Sequence, residues 1–272
     1  MRGYSLSVLK QESCALSSRP NLPPECAYLG EYAWSRTTIG KSEAAVWRLE
    51  GNSEVLFLKA APVHPFSELP GEAARLRWLE STTLIAPRLR DFRQGGGTYW
   101  LLMTALRGSD LTRWTGSTAD PALVLAGALR TLHQLDPSSC PFDHRLEQRL
   151  AVGSANLMAG LVDEADFDTA RAGWTGQAVL DWLGENRPQT EDLVVTHGDA
   201  SLPNFIADAD ALSGMVDWGR LGVADRWQDL AIACRSLIFN AGQAEVSRFL
   251  HAYGASWDEE RYRYYCTLDE LF

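Results

Sequence analysis

Two hydrophobic periods divide the chain. Short apolar runs rich in β-formers, at 44–49 and 55–59, flank the turn Glu50-Gly51-Asn52-Ser53 and predict adjacent strands. Before them, residues 1–24 read as a helical segment followed by a link carrying Pro20, Pro23 and Pro24, with strand character from Tyr28 onward. Runs at 89–92 and 98–106 predict a second strand pair around Gln94-Gly95-Gly96-Gly97, and residues 99–103 of that pair are apolar throughout. The helical period first appears at 70–80, where Ala73, Leu76 and Leu79 form one stripe. It dominates after residue 107. A helix at 122–134 is introduced by Asp120-Pro121 as N-cap and first-turn proline, and others follow at 146–160, 176–185, about 227–240, 243–253 and 259–271. Short apolar runs at 193–195 and 213–216 read as two strands within that half. Five short strands followed by a mostly helical half predict an α+β, bilobal protein with a small β-rich N-lobe, 1–106, and a larger helical C-lobe, 107–272. There is no internal repeat and no low-complexity tract.

Composition narrows the partners. With 272 residues, 46% hydrophobic and 22% charged, the chain can bury a core in each lobe. The formal net charge of −10 argues against a nucleic-acid binder and is compatible with a polycationic ligand. Five cysteines, Cys14, Cys26, Cys140, Cys234 and Cys266, are an odd number without metal-ligand spacing, which predicts reduced thiols and a cytoplasmic setting. The apolar run 4–9 is too short for a signal-peptide core and is followed by Lys10-Gln11-Glu12. No apolar run reaches the ~18 residues of a membrane helix. The expectation is a soluble protein without a membrane or nucleic-acid partner and without an evident obligate protein partner.

The densest chemistry lies at 197–217, HGDASLPNFIADADALSGMVD. It sets Asp199, Asn204 and Asp217 in the spacing that protein kinases use for a catalytic Asp, a metal-binding Asn and the Asp of D-F-G; here Asp217-Trp218-Gly219 takes the last place. Such tripeptides alone often mark turns, and it is the combination with flanking strands that points to phosphoryl transfer. A nucleotide brings several negative charges, so Mg²⁺ needs oxygen ligands, and a separate carboxylate must orient the acceptor hydroxyl. Upstream, Lys59 ends an apolar strand, which is either a strand end reaching water or the phosphate-binding lysine of a kinase sheet. Glu72, in a helix first turn, either complements the macrodipole or holds Lys59. Thr104 and Leu106 follow the apolar strand where a hinge would offer backbone groups to adenine. The loop Gly40-Lys41-Ser42 is not a Walker A motif, because position 35 is Ser. It is a hairpin turn, or a loop over the phosphates with Ser42 as donor.

Segments 193–200 (LVVTHGDA), 202–204 (LPN), 219–226 (GRLGVADR), 140–144 (CPFDH) and 268–272 (LDELF) closely resemble the bacterial aminoglycoside 3'-phosphotransferases, the kanamycin and neomycin kinases. The resemblance runs from about Thr38 to Phe272. It implies a protein-kinase-like fold and ATP- and Mg²⁺-dependent transfer to the 3'-hydroxyl of an aminoglycoside, which inactivates the drug. It implies Asp199 as the catalytic carboxylate, Asn204 and Asp217 as metal ligands, Lys59 and Glu72 as the phosphate-binding pair, and Thr104 with Leu106 as the hinge. On the substrate side it implies Asp166, Asp168, Arg220, Arg235, Asp269, Glu270 and Phe272 with its carboxylate. The chain departs from related enzymes at Thr169, Ser236 and Phe239, where some of them carry acids.

Rival readings are weaker. The acidic end favours a polyamine over a macrolide, choline or a sugar amine. A protein kinase would need an activation segment, and Asp217 is followed almost at once by helix from Arg226. A dead nucleotide-binding module would be expected to lack one of Lys59, Asp199, Asn204 or Asp217.

Overall fold

A computed structural model describes residues 19–37, 44–114, 120–209 and 211–272. Its first lobe is an antiparallel sheet in the order β1-β2-β3-β5-β4, built from β1 (Ala33–Thr37), β2 (Ala45–Glu50), β3 (Val55–Pro62), β4 (Leu89–Gly95) and β5 (Thr98–Thr104). Alternation sorts β3 between two environments. Leu56, Leu58 and Ala60 face outward, packing with Trp47, Leu49, Trp100 and Leu102 beneath the segment that carries Cys26 and Leu29. The opposite face carries Ala61 and, from β5, Leu101 and Met103, and it meets α1 (Leu69–Leu79) through Leu69, Ala73, Leu76 and Leu79. The expected stripe is therefore the buried one.

Two expectations are corrected in this lobe. Residues Pro24–Glu31 form 3-10 helix rather than strand, because Pro24 fixes the backbone near helical φ at the first position and the preceding proline sets the entry. The strand starts only at Ala33. Lys59 does not end its strand either: β3 continues to Pro62, and Lys59 sits inside the ladder between Val46 and Leu101, on the face turned to α1.

The second lobe holds α2 (Pro121–His133), α3 (Leu146–Met158), α4 (Gly176–Glu185), α5 (Trp227–Ala241), α6 (Ala244–Tyr253) and α7 (Glu259–Asp269). Asp120 caps α2, its side chain accepting the Ala122 N–H. Helix α2 packs on α6, and α5 packs on α7. Between them run a ribbon of β7 (Leu193–Thr196) with β10 (Gly222–Asp225) and a small sheet of β6 (Ser109–Asp110), β8 (Phe205–Asp208) and β9 (Ala211–Met215). Strands β6, β8 and β10 are missing from the sequence reading, being two to four residues long, too short to show a period. One continuous core joins α1 and β5 to α2, α5 and α7. The Met215 N–H donates to the Ile85 carbonyl at 3.2 Å, which ties β9 to the first lobe. Cys26, Cys140, Cys234 and Cys266 are buried and unbridged, while Cys14 lies outside the described residues. No helix among the described residues is long and apolar enough to cross a membrane.

His144 sits against Gly222, its Nε2 accepting from Arg75 Nη2 at 3.0 Å. Burial, then the Arg149, Arg75 and Arg220 guanidinia, push its pKa down from 6.5 to about 3. The folded protein therefore keeps this ring neutral where the unfolded chain would protonate it. Stability from this group is present above pH 6.5 and is lost as pH falls toward 3, at most about 1.4 kcal/mol per pH unit. In thermal melts between about pH 4 and 7, His144→Gln is expected to flatten part of the acid-side fall in Tm. An unchanged slope would show that other groups govern it.

Candidate active site

The site starts from β7. Val194 and Val195 are buried, and Thr196 Oγ1 donates to the Gly222 carbonyl at 2.9 Å, so the strand end is fixed where it releases His197-Gly198-Asp199. Gly198 has φ +86, and a Cβ there would lie 2.0 Å from the Arg220 carbonyl oxygen, so only glycine fits. From below, the fully buried Asp229 in the first turn of α5 accepts the His197 N–H at 2.7 Å and the Gly198 N–H at 2.8 Å. Asp229 is held in turn by His133 Nε2 at 2.9 Å, and His133 Nδ1 meets the Tyr253 hydroxyl at 2.7 Å.

His197 is a brace rather than a reacting group. Its Nδ1 faces the Asp199 N–H at 3.3 Å and its Nε2 faces the Val216 carbonyl at 2.9 Å, so the ring proton belongs on Nε2. It stacks near Trp218, with centroids 4.6 Å apart. One imidazole thus links the loop bearing Asp199 to the turn bearing Asp217.

Asn204 Nδ2 donates to Asp199 Oδ2 and to the Asp199 carbonyl, both at 2.9 Å, and this leaves the amide oxygen for another partner. Asp217 adopts the left-handed conformation, φ 65 and ψ 59, sparsely populated for a residue with a side chain. Its Oδ1 accepts from Lys59 Nζ at 2.9 Å, and the same ammonium donates to both Glu72 oxygens at 2.7 and 2.9 Å. Burial alone would lower the Lys59 pKa, but the Glu72 and Asp217 carboxylates outweigh it and raise it, so the lysine is charged. Lys59, against the opposing push of burial, holds Asp217 below the usual carboxylate range. A lysine from the sheet, a helix glutamate and an acid 158 residues further on therefore share one cluster.

At the expected hinge, the Thr104 N–H is already committed to the Arg88 carbonyl at 3.0 Å, and Thr104 Oγ1 accepts the Arg88 N–H at 2.9 Å. Among the described residues, the Leu106 N–H has no backbone partner. An adenine edge would meet Leu106 rather than the Thr104 N–H. Ser42 lies outside the described residues.

The substrate-side residues gather, but not as a row of open acids. Asp269 is gripped by Arg235 and by Arg220, the latter at 3.4 Å. Glu270 Oε1 accepts from Arg171 Nε at 2.8 Å and from the Asp168 N–H at 3.2 Å. Arg171 also pairs with Asp168 and donates to Thr267 Oγ1 at 3.2 Å, so it binds the acidic loop to α7. Asp166 lies on the exposed part of that loop, its N–H bonded to the Asp163 carbonyl at 3.1 Å. Both Arg149 and Arg220 approach the Phe272 ring. Of the departures, Ser236 accepts the Leu202 N–H at 2.9 Å and so supports the loop that carries Asp199 and Asn204, Thr169 opens a 3-10 turn, and Phe239 is exposed.

Asp229, His133 and Arg171 were missed from sequence. An acid in a helix first turn reads as dipole complement, and a histidine in a last turn reads the same way. Arg171 had one usable signal, its i,i+3 spacing from Asp168.

A metal ion would find few protein ligands, since no group of three or more His, Cys, Asp or Glu suited to one occurs among the described residues. An ionised Asp217 and the Asn204 amide oxygen are hard donors of the right kind for Mg²⁺, with water and phosphate oxygens completing the shell.

Residues 35–265 match the phosphotransferase enzyme family. The chain is 38% identical over 256 residues to an aminoglycoside 3'-phosphotransferase of Streptomyces fradiae, covering 89% of this chain and 96% of the relative. It is 35% identical over 276 residues to one of Escherichia coli, covering 97% and 99%. Among solved structures, an aminoglycoside-3'-phosphotransferase of type VIII superposes with a TM-score of 0.82 at 35% identity, over 89% of this chain and 94% of that one. An aminoglycoside phosphotransferase of Streptomyces rimosus, in complex with ADP and streptomycin, gives 0.78 at 28% identity, over 91% and 95%.

Proposed function

The chain belongs to the aminoglycoside 3'-phosphotransferase family, and from that premise we propose how its own residues carry out the transfer of the ATP γ-phosphoryl group to the 3'-hydroxyl of an aminoglycoside such as kanamycin or neomycin, the modification that confers resistance. Asp199 accepts the hydroxyl proton as the oxygen bonds to the γ-phosphorus and the bond to the β-phosphate oxygen breaks, leaving ADP. Asn204 fixes the Asp199 carboxylate through its amide nitrogen, so the base is oriented before the acceptor arrives. Lys59, held by Glu72, binds the α and β phosphates; the backbone at Leu106 meets adenine, and Ser42 donates to the phosphates. Asn204 and Asp217 would hold Mg²⁺, which would supply positive charge against the phosphates as the γ-phosphoryl group leaves. Asp166, Asp168, Asp269 and Glu270 receive the ammonium groups of the acceptor, with Arg171, Arg220 and Arg235 setting their directions.

The observation that carries this reading is the convergence of the Asp199–Asn204 pair and the Lys59–Glu72–Asp217 cluster, joined through His197. The test is ATP consumption by the purified chain against kanamycin, neomycin, a 3'-deoxy aminoglycoside, choline and a macrolide. Turnover is expected with the first two alone. Equal turnover of the 3'-deoxy compound, or turnover only with choline or the macrolide, would overturn it.

A further inference from the structure

Leu271 and Phe272 are seated on one stripe of α3. Arg149, Gly153 and Asn156 stand at i, i+4 and i+7, so they share a face. Each makes a different contact. The Arg149 guanidinium carbon lies 3.5 Å from the centre of the Phe272 ring. A Cβ on Gly153 would lie 2.7 Å from Leu271 Cδ1 and 3.1 Å from its Cβ. Asn156 Nδ2 donates to the Leu271 carbonyl at 3.0 Å. Arg220 also approaches the Phe272 ring, 5.6 Å from its centre, and Arg220 reaches Asp269.

Stability does not account for Arg149. The side chain is 4% exposed, and its Nε and Nη2 have no hydrogen-bond partner. Burial, then the neighbouring Arg220, push its pKa down to about 9. A buried cation with unmet donors costs stability that an apolar chain of the same length would not. What the charge does find is a ring face, which attracts a cation, and that ring is the link to Arg220.

We propose that the Arg149–Gly153–Asn156 stripe is a positioning surface for the acceptor site. It fixes Leu271 and Phe272, and through the Phe272 ring it sets where Arg220 and Asp269 stand relative to Asp199. Arg149 is a positioning residue, touching neither nucleotide nor acceptor. The proposal rests on the functional reading above for its substrate.

Arg149→Met removes the charge and keeps the length. Its Tm is expected to equal or exceed that of the wild type, while the kanamycin KM rises about tenfold or more and the ATP KM stays within about twofold. Arg149→Lys should fall between. Gly153→Ala displaces Leu271 without altering any charge and is expected to give the same split in KM. Amide exchange across 268–272 should quicken about tenfold or more in Arg149→Met and Gly153→Ala, whatever the substrate proves to be. Unchanged exchange in both, or a kanamycin KM within about twofold of wild type in both, would overturn the proposal. So would failure of Arg149→Met to fold, or a drop in its Tm with both KM values rising together, because either makes Arg149 structural. Absence of aminoglycoside turnover in the wild type would sink the functional reading instead, and the exchange measurement would still decide the positioning role.

Discussion

Asp199→Asn is expected to lower kcat by about 10²–10⁴-fold while ATP still binds and Tm is unchanged. The substitution is isosteric, and the Asn204 amide can keep its bonds to the carbonyl of residue 199 and to a side-chain oxygen there. What disappears is the acceptor for the hydroxyl proton. The backbone brace is also independent of the Asp199 side chain, since Asp229 and His197 hold the loop through main-chain N–H groups. The loss should therefore fall on turnover and not on loop geometry. Steady-state kinetics with a nucleotide-binding titration checks this, and a kcat within about fivefold of wild type in a folded mutant would reassign the base.

Asp217→Ala is expected to abolish measurable transfer and to weaken binding of Mg·ATP by about tenfold or more beyond its effect on metal-free ADP. Lys59 loses one carboxylate but keeps both Glu72 oxygens, so its ammonium keeps an anchor. The effect should thus be specific to the metal-bearing nucleotide. Calorimetry of both ligands decides it: equal weakening would mean that Asp217 acts only by placing Lys59. The left-handed backbone at Asp217 makes alanine somewhat strained there. A thermal melt of the mutant is therefore part of the experiment.

Much of the architecture was legible because it is carried by long amphipathic periods. The stripe of Ala73, Leu76 and Leu79 and the Asp120 cap of α2 behave as their spacing implies. The Asp199, Asn204 and Asp217 spacing was legible for another reason: local loop geometry fixes Asp199 and its nearest partner, Asn204, within five residues. What could not be read were pairings across sequence distance. Arg171 reaches Glu270 across 99 residues, and His133 reaches Asp229 across 96. The i,i+3 spacing of Arg171 from Asp168 was a weak local hint, and nothing local marked His133 or either distant partner. That is why Asp269 and Glu270 read as open carboxylates, when their nearest partners are arginines.

Asp229 has a consequence for how such a protein can change. The catalytic loop is keyed from beneath, by one carboxylate reached from α2 and α6 through His133 and Tyr253. The Asp168 and Glu270 contacts lie on other elements, the acidic loop and the end of α7. The brace beneath the loop and the contacts among Asp168, Arg171 and Glu270 thus share no side chain. On the proposed function, substitutions in the acidic loop can change which acceptors fit while the Asp229 brace stays in place, so the range of drugs accepted can drift faster than the chemistry that inactivates them. An inhibitor shaped to the keyed loop would leave that drift fewer ways of escape than one shaped to the pocket.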